Sequence, residues 1–132
     1  MIYITVGIFG IIGALIRYYL GVTINTWWVY SFPLGTLIIN CLGALILGWF
    51  TYSITKSKCP EWFRLGFGVG LIGSFTTFST FSVETLTLLN SGLIFYAFMY
   101  VLLSLLGGLF FSLLGYKISL HMRKGVGIKH AD

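Results

Sequence analysis

The residues best suited to ion chemistry lie between Gly66 and Ser82, where the chain reads GFGVGLIGSFTTFSTFS. Glycines and short hydroxyl side chains interrupt this otherwise apolar segment, and both weaken a helix and free backbone carbonyls. Irregular backbone is tolerated at membrane depth only where it is buried in protein or lines a polar cavity. The segment therefore predicts an ion site or a permeation path rather than a simple lipid anchor.

Two kinds of ion fit such a break in a helix. Free carbonyls are hard oxygen ligands that suit a small cation such as Na⁺, whereas the N-terminal end of the following half-helix suits an anion. Phe78 and Phe81 lie one turn apart there, and the positive edges of their rings could accompany a small anion. Phenylalanines in an apolar span commonly face lipid or core, but the surrounding hydroxyls favour the ion-path interpretation.

Three further polar side chains fall inside apolar stretches, where they are costly: Arg17, Asn40 and Glu84. Arg17 either snorkels to the nearby interface or points into protein, and Asn40 either bonds a neighbouring helix or donates to a passing solute. Glu84 follows Thr76 and Thr80 at four-residue steps, which predicts one polar line along a helix. Because a carboxylate repels anions, Glu84 is expected to be neutralised or hydrogen-bonded in an anion path, or to belong to a cation system.

The elements that carry these residues are predicted to be membrane helices. With 58% apolar and 8% charged residues, the chain lies outside the range of soluble domains and is interpreted as an all-α membrane protein. One four-helix transmembrane domain is expected over residues 1–132, with a break in the third helix and a basic tail at 117–132. Serine, histidine and carboxylate groups do not combine into a catalytic site, which argues against an enzyme. The predicted spans are about 2–20, 34–52, 65–89 and 93–116, each near the ~20 residues that cross a bilayer.

Basic residues are distributed very unequally between the two ends of these helices. Of the eight Lys and Arg, seven flank the second loop or follow the fourth span, while loops 21–33 and 90–92 carry no charge. By the positive-inside rule, both termini are predicted to be cytoplasmic, with the chain in the plasma membrane. Topology and anionic membrane lipid explain the net charge of +5, so nucleic-acid binding is not expected. The seven residues are Lys56, Lys58, Arg64, Lys117, Arg123, Lys124 and Lys129.

Aromatic residues mark the predicted membrane interfaces. Trp27, Trp28 and Tyr30 lie in the uncharged loop, and Tyr52 and Trp62 bracket the basic loop. Rings at both interfaces are typical of membrane proteins. We therefore interpret Trp27 and Trp28 as interface anchors in preference to an aromatic ligand site.

Small residues recur at three- and four-residue steps in the first, second and fourth spans. Such faces let helix backbones approach closely in lipid, where hydrophobic burial no longer drives association. Packing within one chain explains most of them, but a small-residue face on every span indicates a bundle of more than four helices. The faces are Gly7, Gly10, Gly13, Ala14 and Arg17 in the first span, Asn40, Gly43, Ala44 and Gly48 in the second, and Ser104, Gly108 and Ser112 in the fourth.

Three motifs together resemble one family, the Fluc or CrcB fluoride channels. They are GxxGAxxRY at Gly10 to Tyr18, GTLxxNxxG at Gly35 to Gly43, and GxxGSFTTFSTFS at Gly70 to Ser82. The resemblance implies a small four-helix protein that assembles as an antiparallel dimer with two fluoride pathways at its interface. It also implies passive export of cytoplasmic fluoride down its electrochemical gradient, which protects the cell from fluoride toxicity.

The same resemblance assigns roles to individual residues. Phe78 and Phe81 would be the pore phenylalanines, and Asn40 the pore amide. A central structural Na⁺ would be held by the carbonyls of Gly73 and Thr76 from each subunit. The remaining implied positions are Ser79, Thr80 and Glu84 in a polar track and Arg17 near a pore vestibule. One departure from the family pattern is Ser74–Phe75, where many relatives have glycine followed by another apolar residue.

The charge asymmetry also bears on the partner. Members of the family work either as dual-topology homodimers or as pairs of chains with fixed, opposite orientations. A seven-to-one distribution of basic residues favours a fixed orientation. We therefore predict an oppositely oriented homologue as the physiological partner, with a homodimer as the alternative.

Two other functions fit parts of the sequence. A proton-coupled exporter of small cations or drugs can also be a four-helix antiparallel dimer, but it needs an embedded carboxylate that exchanges protons. Glu84 is the only candidate, and it lies late in the third span. A non-transporting assembly subunit would explain the glycine faces but leaves the broken span unexplained.

Overall fold

The protein is described from a computed structural model that covers residues 1–28, 30–55 and 59–128, with residues 123–128 as backbone only. The regular elements in these ranges are helical. They are α1 (Ile2–Trp27), α2 (Leu34–Thr55), α3 (Glu61–Leu65), a π-helical segment (Gly66–Ile72), α4 (Gly73–Phe75), α5 (Phe78–Asn90) and α6 (Ile94–Ile128). The basic positions Lys56, Lys58 and Lys129 lie outside the described residues.

Four helical stretches are long and apolar enough to cross a membrane, which confirms the predicted four-helix architecture. The third is composite. Its first half, residues 61–75, runs from α3 through the π-helical segment to α4, and its second half is α5. The four stretches are Ile2–Trp27, Leu34–Thr55, Glu61–Asn90 and Ile94–Met122.

Helices α2 and α6 pack backbone against backbone through small residues. A Cβ added at Gly48 would overlap the carbonyl oxygen of Ser112, and one added at Gly115 would overlap that of Leu45. Gly48 of the face predicted for α2 and Ser112 of the face predicted for α6 thus meet, whereas a Cβ at Gly108 would meet no described atom within 4 Å. The glycines of α6 that pack on α2 are Gly107, next to the Cys41 sulfur, and Gly115, and neither belongs to the predicted face.

Helix α1 packs on the first half of the third span. A Cβ at Gly13 would overlap the Leu71 carbonyl oxygen and the Ser74 hydroxyl. That hydroxyl lies 2.7 Å from the Gly10 carbonyl oxygen of α1 and 2.8 Å from the Gly70 carbonyl oxygen one turn earlier in its own span, so its single O–H is shared between the two. Ser74, the departure from the family pattern, is therefore accommodated by the glycine face of α1.

Large apolar side chains cover much of the outer surface. Tyr3 is 90% exposed, and Gly13 is the buried residue of α1 in the described chain. A soluble protein of this size rarely exposes contiguous apolar surface on that scale. The surface fits a chain whose helices contact lipid and other membrane helices.

Candidate ion site at the break in the third span

The break in the third span consists of two extended residues between two half-helices. Thr76 ends α4 with φ −78° and ψ 155°, and Thr77 follows with φ −145° and ψ 124°. Thr77 then caps α5, because its hydroxyl accepts a hydrogen bond from the Thr80 amide at 3.2 Å. The glycines upstream do not break the helix but widen it, since Gly66–Ile72 is π-helical. Such segments are frequent at functional sites.

Asn40 of α2 braces this break through both ends of its amide. Its Nδ2 donates to the Thr77 carbonyl at 3.0 Å, and its Oδ1 accepts from the Thr77 amide at 2.9 Å. Both backbone groups of Thr77 are therefore satisfied at a point where no helix can satisfy them. An asparagine amide carries two N–H donors, so one N–H remains for another acceptor. The two roles considered for Asn40, helix contact and solute donor, are thus compatible.

The break also frees the carbonyls of Gly73 and Thr76. In a continuous helix these oxygens would accept from the amides of residues 77 and 80. The Thr77 amide instead donates to Asn40, and the Thr80 amide donates to the Thr77 hydroxyl. Two hard oxygen ligands therefore lie at the break with their usual donors engaged elsewhere, and this donor chemistry fits a small cation such as Na⁺.

One cavity of about 350 Å³ brings several of the predicted site residues together. Phe78 stands at its edge and is 79% exposed, while Gly73 has open space where a Cβ would be. The face of the chain that carries the break is therefore uncovered among the described residues. The predicted residues that line this cavity are Asn40, Gly73, Thr76 and Phe78.

A second cavity, of about 300 Å³, shares Thr77 with the first and is lined by Arg17, Thr80 and Glu84. Arg17 points into protein, and its Nε is buried with no hydrogen-bond partner among the described residues. The buried Nε fits the inward orientation, one of the two positions considered for Arg17. A guanidinium carries five N–H donors in a fixed planar arrangement, which suits an anion.

Glu84 joins three elements through its carboxylate. Thr36 of α2 donates to Oε1 at 2.8 Å, and Tyr100 of α6 donates to Oε2 at 2.7 Å. The expectation that Glu84 is hydrogen-bonded is confirmed. Sequence reasoning did not identify these two partners, although Thr36 lies one helical turn before Asn40 and therefore on the same face of α2.

The predicted polar line of Thr76, Thr80 and Glu84 is wrong in its first member. The Thr76 hydroxyl donates to the Ile72 carbonyl at 3.0 Å and lines the cavity with Asn40. Thr77 takes its place, and its hydroxyl donates to that of Thr80 at 3.0 Å. The four-residue step fails because helical periodicity does not continue across two extended residues.

The two phenylalanines and Ser79 complete the predicted set. The rings of Phe78 and Phe81 have centroids 5.7 Å apart and are tilted by 39°. Phe81 also contacts the ring of Tyr100, with centroids 5.1 Å apart. The Ser79 hydroxyl lies 3.3 Å from that of Thr77 and lines neither of the two cavities described above.

The sequence that forms this site matches a known family. The sequence profile described as "CrcB-like protein, Camphor Resistance (CrcB)" matches residues 4–116 of this chain. The chain belongs to the CrcB family. The resemblance seen in the three motifs is thereby confirmed.

Individual CrcB relatives are similar in sequence to this chain over most of their length. A Bacillus cereus protein named "Fluoride-specific ion channel FluC 1" is 54% identical over 119 residues, which cover 89% of this chain and 87% of the relative. A Geobacillus kaustophilus protein named "Fluoride-specific ion channel FluC 2" is 45% identical over 129 residues, covering 96% and 100%. A Desulfitobacterium hafniense protein named "Fluoride-specific ion channel FluC 1" is 45% identical over 113 residues, covering 85% and 97%.

The site of this CrcB member contains both hydrogen-bond donors and carbonyl oxygens that are free of helical hydrogen bonds. The side-chain amide, hydroxyl and guanidinium donors suit an anion, whereas the freed carbonyls suit a cation. Glu84 is held by two donors and lines the same cavity as Arg17, whose charge has the opposite sign. The arrangement therefore fits a path for a small anion next to a bound cation.

Proposed function

We propose that this chain is a subunit of a fluoride-selective channel that exports cytoplasmic fluoride and is not an enzyme. The observation that carries the proposal is the meeting of Phe78, Asn40 and Thr77 at a helix break that lines a cavity. The family membership and the names of the relatives support the same function. The membrane potential drives the anion outward, with ~2.3 kcal/mol per charge per 100 mV, so no nucleotide-dependent pump is needed.

The path requires donors that replace the water around fluoride. The free N–H of Asn40 and the hydroxyls of Ser79 and Thr80 are such donors, and the positive edges of Phe78 and Phe81 contact an anion without hydrating it. At the second cavity, Arg17 supplies further N–H donors and a positive charge that opposes the charge of Glu84. Selectivity of this kind depends on the donors that line the path and on its width.

The state of Glu84 favours a channel over a proton-coupled exporter. An exporter needs a carboxylate that repeatedly binds protons or substrate cations. Both carboxylate oxygens of Glu84 instead accept hydrogen bonds from other helices. Glu84 is therefore better suited to holding Thr36 and Tyr100 in place than to exchanging protons.

We also propose a Na⁺ site formed by the carbonyls of Gly73 and Thr76 at the centre of an antiparallel dimer. Support comes from the freed carbonyls and from the uncovered face on which Gly73 and Phe78 lie. A bound Na⁺ would supply positive charge that holds the facing carbonyls together. The chain's own contribution is the brace of Asn40 on Thr77, which keeps those carbonyls out of helical hydrogen bonds.

Orientation and partner complete the proposal. The chain lies in the plasma membrane with both termini in the cytoplasm, and it pairs with an oppositely oriented homologue. The support is the seven-to-one distribution of basic residues and the uncovered face at the break. On this proposal, a terminal tag reports a single orientation when the chain is expressed alone.

The test is fluoride efflux from liposomes, measured with an ion-selective electrode. The chain is reconstituted alone and together with an oppositely oriented homologue, with chloride as the comparison ion. We expect fluoride efflux without chloride efflux from the pair. Efflux from the chain alone would overturn the pairing, whereas a pair that releases neither ion, or both equally, would overturn the proposed function.

A further inference from the structure

The two adjacent tryptophans before the α1–α2 loop have different environments. Trp27 is 86% exposed, as expected for a ring at a membrane interface. Trp28 is half-buried, and its Nε1 donates to the Phe32 carbonyl at 2.8 Å. The same carbonyl accepts from the Leu34 amide at 2.8 Å. The interface position of both tryptophans stays a prediction, and Trp28 in addition bonds within its own loop.

The hydrogen bond from Trp28 places the Phe32 ring against the buried centre of the chain. Phe32 packs on the cluster of Leu88, Ala97 and Tyr100. Its ring meets that of Tyr100 nearly edge-on, with centroids 5.6 Å apart and an interplanar angle of 84°. This is a favoured geometry for an aromatic pair. Tyr100 is fully buried at 0% exposure, so Phe32 forms one wall of its site.

Tyr100 connects Phe32 with two residues of the proposed fluoride path. Its hydroxyl donates to Glu84 at 2.7 Å, and its ring contacts that of Phe81 with centroids 5.1 Å apart. A shift of the Tyr100 ring would therefore change both contacts. The rings of Phe32, Tyr100 and Phe81 form a continuous row from the loop to the path.

The loop also forms a wall of a small cavity beside Glu84. Ser31 and Pro33, the neighbours of Phe32, line this cavity of about 120 Å³ together with Glu84, Thr87 and Leu88. Glu84 lines the larger cavity with Arg17 as well. The loop that contains Phe32 thus bounds the space on one side of the carboxylate.

We propose that Phe32, held by Trp28, is a positioning residue for the fluoride path. It acts through Tyr100, and it fixes the Glu84 carboxylate and the Phe81 ring. Without the Phe32 ring, Tyr100 gains freedom to rotate and the carboxylate loses one of its two donors. A less compensated negative charge beside the path then repels fluoride and slows its passage. This proposal rests on the proposed fluoride channel function.

The test is a double-mutant cycle of Phe32→Leu and Tyr100→Phe, carried out in the reconstituted pair with two readouts. Phe32→Leu keeps apolar volume and removes the ring, whereas Tyr100→Phe removes the hydroxyl alone. We expect each variant to lower fluoride efflux, by about tenfold for Phe32→Leu, and the double variant to lose little more than one single variant. The second readout is the thermal unfolding midpoint of each purified variant, which reports packing.

A second comparison tests the hydrogen bond from Trp28. Trp28→Phe removes the indole N–H and lowers fluoride efflux in the same direction as Phe32→Leu, and the two changes together are not additive. Trp27→Phe is the matched control, and its efflux stays at the wild-type rate. Equal efflux from Trp27→Phe and Trp28→Phe would overturn the role of Trp28.

The outcomes separate this proposal from the function on which it rests. Coupling here means that the effects of Phe32→Leu and Tyr100→Phe are not additive. Coupling in both fluoride efflux and thermal unfolding supports the positioning role. Coupling in unfolding alone makes Phe32 a packing residue and overturns the proposal, as does the absence of coupling in efflux. If the wild-type pair conducts no fluoride, the proposed function fails directly and the positioning role fails with it.

Discussion

Asn40 and Thr77 form a reciprocal pair, in which the side-chain amide of Asn40 bonds to both backbone groups of Thr77. The two bonds measure 3.0 and 2.9 Å and join residues 37 positions apart in the chain. This pair keeps the helix broken, because it satisfies the Thr77 backbone without a further helical turn. The freed carbonyls and the free N–H of Asn40 both depend on it.

Replacing Asn40 should therefore affect stability and transport together. Asn40→Ala leaves a buried N–H and a buried C=O of Thr77 unpaired, at about 1–3 kcal/mol for each group. We expect a lower thermal unfolding midpoint and loss of fluoride efflux. Asn90→Ala, at the exposed end of α5, is the control. Unchanged stability of Asn40→Ala would contradict the brace.

Replacing the exposed ring of Phe78 is predicted to affect transport but not stability. Phe78→Ile keeps an apolar side chain, so we expect little change in stability and a loss of fluoride efflux of tenfold or more, as the aromatic edge contact disappears. Phe95→Ile is a matched control, since Phe95 is 71% exposed on α6. The ion-selective electrode assay compares the two variants at equal protein density. Similar losses in both would assign the effect to general packing in the membrane.

The hydrogen bonds to Glu84 lead to a prediction about proton coupling. If Glu84 holds Thr36 and Tyr100 rather than carrying protons, fluoride current through the pair reverses at the fluoride equilibrium potential whatever the pH gradient. Glu84→Gln should lower stability. Its side-chain oxygen can accept a hydrogen bond, but its NH₂ group only donates, so either the Thr36 or the Tyr100 hydroxyl loses the atom that accepted from it. Its reversal potential should remain unchanged. A reversal potential that follows the pH gradient in the wild type and not in Glu84→Gln would instead indicate proton-coupled transport.

Substitutions at two glycines of α2 separate effects on helix packing from effects on the proposed Na⁺ site. A Cβ at Gly43 would overlap the Thr76 side chain, and one at Gly48 would overlap the Ser112 backbone. Both Gly43→Ala and Gly48→Ala should lower stability, by about 1–3 kcal/mol for overpacking of this kind. Only Gly43→Ala should also change the effect of Na⁺ on unfolding, because it displaces Thr76. Thermal unfolding with and without Na⁺ tests this difference, and an equal Na⁺ effect in both variants would contradict it.

Removal of Na⁺ is predicted to weaken the dimer. A ligand that binds the folded state alone stabilises it by about 2.7 kcal/mol at a hundredfold excess over its dissociation constant. Exchange of Na⁺ for N-methylglucamine should therefore lower the unfolding midpoint of the purified pair. Potassium chloride at equal ionic strength is the control for screening. Equal midpoints in all three salts would argue against the carbonyl site.

The break in the third span shows how much local sequence patterns can predict. The composition of residues 66–82 predicted an interruption in the third span, and the structure has one at Thr76 and Thr77. The glycines alone did not determine its position, because they adopt a π-helical segment that continues to Ile72. The polar line that included Thr76 was wrong for the same reason, since a four-residue step has meaning only within one helix.

The sequence by itself determined the membrane class, the four spans and the family. These depend on apolar lengths of about 20 residues and on short motifs, both of which are local properties of the chain. Only the tertiary structure decided the partners of Glu84 and Asn40 and the different environments of Trp27 and Trp28. Thr36 and Glu84 are 48 residues apart, and such a hydrogen bond requires two helices to pack in one particular register. That register follows from the glycine contacts between helices, which no single segment of the chain contains.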